Sequence, residues 1–134
     1  MKNSMWDDTA VTPTIVPALR TAAAAVNGTT VDLVGLHENN FRSSMMVAYA
    51  GAVADGTHTV KLQESDDNAA WNDATQVDGG PVVFALASQN TSQRLSYNGS
   101  KRYLRGVVTT AAATVGGTVG ALIITADGSG RPVV

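Results

Sequence analysis

The sequence predicts an all-β protein, an antiparallel β-sandwich or barrel-like domain with an extended N-terminal arm and a short C-terminal tail. Asn27-Gly28, Asp55-Gly56, Asp78-Gly79, Asn98-Gly99 and Asp127-Gly128 are dipeptides that accept positive φ in tight turns. Between them lie short stretches rich in Val, Thr, Leu and Ile, spaced as the strands of a sandwich or barrel are. No window shows a convincing 3.6-residue periodicity. The chain divides into an arm (1–28), a sandwich (29–126) and a tail (127–134).

Strands are expected near 29–36, 41–50, 57–65, 81–86, 93–97, 101–110 and 118–126. In 57–65 (THTVKLQES), Val60 and Leu62 point one way and Thr59, Lys61 and Gln63 the other, the pattern of a half-solvated strand. In 41–50, Phe41, Met45, Val47 and Tyr49 share one face and Arg42, Ser44, Met46 and Ala48 the other. Both faces of 118–126 are apolar, with Val119, Ala121 and Ile123 opposed to Leu122 and Ile124. Such a strand is central, or its outer face is covered by another subunit. The Asn98-Gly99 turn predicts a hairpin, and a four-residue loop setting Leu95 opposite Leu104 is favoured over a two-residue loop setting it opposite Arg102. The stretch "PALRTAAAAV" (17–26) fits a turn or two of helix or an extended arm equally.

A chain of 134 residues is one domain's worth. Charged residues are 15% and the net charge is −2, which gives no electrostatic reason to expect nucleic acid or an anionic membrane as partner. Aromatic residues, at 5%, are thin for a carbohydrate platform or a base-stacking surface. Hydrophobic residues are 44%, many of them Ala and Val, so subunit contacts are expected to supply part of the stability. There is no cysteine, which removes disulfides, thiolate nucleophiles and Cys-based metal sites together. The N-terminus lacks the apolar core of a secretory signal, and the longest apolar run, "GALIITA", is too short to cross a bilayer. A soluble protein without a cleaved export signal is expected.

No catalytic residue, cofactor site or metal site is expected. His37 and His58 have no local acids converging on them and read as surface histidines. No G-x-S-x-G elbow and no phosphate-binding loop is present. The adjacent pairs Asp7-Asp8 and Asp66-Asp67 do not face each other across a substrate. The acidic corner "ESDDNAAW" (64–71) lacks the calcium-loop ladder and reads as a hairpin turn with Asx side chains bonded to backbone, and Trp71 returning over the hairpin's apolar face. The cluster Tyr97, Lys101, Arg102, Tyr103 and Arg105 reads as a solvated strand face, or as a contact for an acidic patch on a protein partner.

The stretches "DGTHTVKLQESDDNAAWNDAT" (55–75) and "SYNGSKRYLRGVVTTAAATVGGTVGALIITA" (96–126) resemble a family of small structural proteins of tailed-bacteriophage head modules. The resemblance covers about 29–126, with Val31 to Gly35 fitting the family's first strand. "VGLHENNFRSSM" is more polar than the usual form, and the arm and tail lie outside the match. The resemblance implies a virion protein made in the bacterial host cytoplasm, a capsid decoration (cement) protein on the outer capsid surface with the major capsid protein as partner. A homo-oligomer at a local symmetry axis would fit that role. Contact candidates are Trp6, Ile15, Arg102, Tyr103 and Arg105. The alternatives are a tail or neck structural protein and a host-carbohydrate-binding module of the virion.

Overall fold

The computed structural model describes residues 5–34 and 43–127. His37, Phe41, Arg42, the end of the strand expected at 29–36 and most of the tail lie outside the described residues.

Two antiparallel sheets make the sandwich. The first, sheet A, has the order β1-β11-β4-β9-β7, from β1 (Thr9–Arg20), β11 (Gly117–Ala126), β4 (Ser43–Val53), β9 (Ser92–Tyr97) and β7 (Val77–Asp78). Sheet B runs β2-β10-β5-β6, from β2 (Ala24–Asn27), β10 (Tyr103–Ala111), β5 (Thr57–Ser65) and β6 (Asn72–Asp73). Two further strands extend it, β3 (Val31–Asp32) beside β10 and β8 (Val82–Phe84) beside β5. A 3-10 turn, Leu86–Ser88, follows β8.

The alternation assigns the faces. On β5, His58, Val60 and Leu62 are buried, and on β10 Leu104, Gly106, Val108 and Thr110 face the same core. On β4 the inward set is Ser44, Met46, Ala48 and Ala50, while Met45, Val47 and Tyr49 stay half-exposed. Phe84, Ile15, Met46, Leu104 and Ile123 are the largest fully buried side chains. The strand 118–126 is central in its sheet, hydrogen-bonded to β1 on one side and β4 on the other.

Three expectations are corrected. Residues 9–27 of the expected arm are not separate from the sandwich, because β1 pairs with β11 along its length and β2 pairs with β10. Of the two forms left open for "PALRTAAAAV", the extended one is present, with a bend at Ala22 and Ala23. There is also no 98–99 hairpin: β9 belongs to sheet A beside β4 and β7, whereas β10 belongs to sheet B. The connection crosses between sheets because Tyr97 anchors it, donating its hydroxyl to Glu64 Oε2 (2.6 Å) and accepting from the Lys101 N–H (3.0 Å). Finally, His58 is not a surface residue. It is fully buried, with Nδ1 3.0 Å from Thr110 Oγ1 and Nε2 without a partner among the described residues.

Thr14 locks the sheets together where a register shift in β1 lets both Thr14 and Ile15 point inward. Its hydroxyl donates to Thr29 O (2.8 Å) and accepts from Gly106 N–H (2.8 Å), joining sheet A to β10 of sheet B. A Cβ on Gly28 would stand 2.4 Å from Thr14 O and 2.7 Å from Gly106 O, so only glycine permits this approach.

Desolvation, and then the hydrogen bond to Glu64, push the Tyr97 phenol up to about 12. A raised phenol stabilises the fold below the ordinary tyrosine value, and that contribution disappears as pH rises through the folded value. Tyr97→Phe is expected to lower stability by about 1.5–3 kcal/mol at neutral pH, the range for hydrogen bonds to charged groups. It is also expected to abolish the absorbance step near pH 12; urea unfolding and an ultraviolet titration check the two effects.

Candidate interaction surfaces

The acidic corner is structural. Asp67 Oδ1 accepts the Ala69 and Ala70 N–H groups at 2.9 Å and the Ser65 hydroxyl at 3.0 Å, closing the turn between β5 and β6, with Asn68 at φ 59°. These donors hold its carboxyl below the usual range. Asp73 is held low by Lys61 Nζ (2.8 Å) and Gln63 Nε2 (2.9 Å), and Asp66 is paired with Lys101. Among the described residues no group of three or more His, Cys, Asp or Glu could hold a metal ion.

Asp55 performs the same service elsewhere. Its carboxylate accepts N–H groups from Gly116 (2.6 Å), Val115 (3.1 Å) and Thr114 (3.1 Å), tying the β4–β5 turn to the β10–β11 turn and holding its own pKa down. Depressed carboxylates stabilise the fold above their unfolded value, near 3.8, and that stabilisation is lost as pH falls through the folded values. Thermal melts are therefore expected to show a falling Tm below about pH 4. In Asp55→Asn the decline is expected to be shallower.

The outer face of sheet B is polar and internally paired. Arg102 forms a two-pronged pair with Asp32 (2.8 and 3.0 Å) that raises its pKa, and its guanidinium lies 4.9 Å from the Tyr103 ring centre. Arg105 donates to Gln63 Oε1 (2.8 Å) and stacks 4.2 Å from the Trp71 ring centre. Trp71 thus lies under a guanidinium on the outer face rather than over the hairpin's apolar side. Of the other contact candidates, Trp6 is 80% exposed, whereas Ile15 is 2% exposed and belongs to the core. Ile15 is therefore spent on the protein's own packing.

Sheet A's outer face is apolar, as the doubly apolar pattern of 118–126 led one to expect. Cross-strand register aligns two adjacent rows, Pro13–Leu122–Val47–Arg94 and Val11–Ile124–Met45–Ser96–Asp78. Val11 and Pro13 are exposed, and Leu122, Ile124, Met45 and Val47 are half-exposed. The two rows are apolar over three strands, and the charges they contain are Arg94 on β9 and Asp78 on β7. The doubly apolar pattern of 118–126 signalled this face in the sequence. Arg94 and Asp78 gave no such signal, since only the register brings them together.

A cavity of about 260 Å³ opens between the sheets, lined by Val60, Leu62, Val77, Pro81 and Leu95 with Lys61 and Asp73 among its residues. It falls below the usual range for ligand pockets, whereas an open concavity of about 430 Å³ beside Met45, Asp78 and Arg94 lies within it.

These features define a two-sheet sandwich whose outer faces differ in character. A scan against protein-family profiles gives no match, and a search of curated proteins finds none. Two solved structures share the fold. The PBSX exported protein XepA aligns with a TM-score of 0.59 at 19% identity, covering 90% of this chain and 38% of that one. The SPBc2 prophage-derived protein YomS aligns with a TM-score of 0.51 at 12% identity, covering 90% of this chain and 95% of that one. The chain therefore spans well under half of XepA, and at these identities the likeness is one of fold.

Proposed function

We propose that this chain is a structural protein of a tailed-bacteriophage particle, a decoration protein that clusters on the outer surface of the head and bridges major capsid subunits. The observation that carries the reading is the two-sided exterior: sheet B's outer face is charged and internally paired, while sheet A's is apolar and, among the described residues, uncovered. A monomer in water has no use for such a face, whereas an assembled protein buries it. The sequence resemblance over 29–126 and the fold shared with a prophage-derived protein support the same reading. Trp6, with the exposed Val16 and Leu19 of β1, supplies candidate contacts to the shell. Arg102, Tyr103 and Arg105, held rigid by their pairings, offer a second surface. A carbohydrate platform is disfavoured because Trp71 is already stacked under Arg105.

Co-sedimentation with undecorated capsids tests the reading. Saturable binding at a copy number matching capsid symmetry is expected, with added resistance of the particle to heat. Absence of binding, with the protein recovered at a few copies per mature particle, would move it to the tail or neck.

A further inference from the structure

We infer that the outer face of sheet A is the contact for a second copy of this chain, in a two-fold, face-to-face dimer. The argument starts from the two rows defined by the register. A two-fold axis running across the strands between those rows lays β9 on β9, β4 on β4 and β11 on β11, each in antiparallel sense. Val47 then meets Met45 of the other copy and Leu122 meets its Ile124, so apolar groups cover apolar groups. The same operation brings Arg94 over the other copy's Ser96, one strand from its Asp78. The single cation and single anion of these rows thus become complementary under one symmetry element.

Two further observations favour a face over an edge. Pro13 and Pro17 interrupt the N–H row of edge strand β1, and the opposite edge strand, β7, is only two residues long, so strand addition is blunted at both ends of the sheet. Lys61, Lys101, Arg102 and Arg105 are all partnered, whereas Arg94 makes no hydrogen bond or ion pair with a described residue. Asp78 accepts from Asn98 Nδ2 (2.7 Å) and shares a shallow concavity with Arg94 and Met45 without pairing to the arginine. Four strands at standard spacing make a contact roughly 19 Å across. That is the small end of specific interfaces, and the sedimentation test spans the concentrations at which a weak dimer dissociates. The inference deepens the decoration reading by naming how copies cluster, yet its test needs no capsid.

Sedimentation velocity on the full chain from roughly 5 to 500 μM is the test. A monomer–dimer equilibrium is expected for the native chain. Val47→Lys is expected to abolish it, with near-ultraviolet circular dichroism unchanged. Arg94→Asp and Asp78→Arg are each expected to weaken it about tenfold or more, and the double reversal to restore it. A native chain that stays monomeric throughout, or charge reversals that leave the equilibrium unaltered, would overturn the inference. If the monomeric chain nevertheless sediments with capsids and Val47→Lys prevents that, the face belongs to the shell and the decoration reading survives without the dimer.

Discussion

Thr14→Val is expected to destabilise the folded chain by about 2–4 kcal/mol, although valine matches threonine in shape and leaves no cavity. The reason lies in what the hydroxyl holds. It accepts from Gly106 N–H and donates to Thr29 O, both at 2.8 Å, in a site where Thr14 itself is fully buried. Valine leaves the buried Gly106 N–H unsatisfied, at about 1–3 kcal/mol, and forfeits the bond to the carbonyl of exposed Thr29, at about 1 kcal/mol. The Gly106 N–H has no easy alternative, because Gly106 is already in close contact with Thr14 and Ile15. Thr14→Ser keeps the hydroxyl and is expected to retain most of the stability. Urea unfolding of the pair measures the difference. Near-equal midpoints for Val and Ser would show that the inter-sheet clamp contributes little.

Phe84→Ala is expected to cost about 3–5 kcal/mol, a large fraction of the 5–15 kcal/mol typical of a whole domain. Phe84 is the largest fully buried side chain and sits opposite His58 across the β5–β8 pair. Its core cluster includes Ala48, Ala50 and Ala121, which have no rotamers with which to move into the space. The cost moves toward the upper end of that range the less the surrounding core relaxes into the cavity. A shift of the urea midpoint at constant slope checks this, and Phe84→Leu is expected to lose less.

What the sequence disclosed depended on whether the signal was local. The strand 57–65 was legible in its bounds and in the facing of Thr59 to Gln63, where polar and apolar positions alternate. His58 lies on the same inward face as Val60 and Leu62, so the period already pointed it into the core. The residue type argued for the surface, and the period won. Strand β1 was not legible. Its two prolines and its register shifts break the alternation, and Thr14 and Ile15 turn inward together, which no period-two pattern contains. The 98–99 turn misled for the opposite reason. Asn-Gly is a strong hairpin signal, but the bond from Tyr97 to Glu64 and the pairing of β10 with β5 are long-range and outweigh it. The basic cluster was visible as composition. Its pairing with Asp32, Asp66, Gln63 and Trp71 was not, because those partners come from other strands and loops.

Oxidative footprinting of adjacent Met45 and Met46 tests most directly whether the outer face of sheet A is the protein's interface. The two sit on opposite faces of β4, Met45 half-exposed on the outer face and Met46 buried in the core, so one peptide carries both probe and control. In dilute protein Met45 is expected to form the sulfoxide while Met46 stays intact. In concentrated protein and on the particle, Met45 is expected to be protected as well. Equal oxidation of Met45 in the dilute, concentrated and particle-bound states would contradict the account.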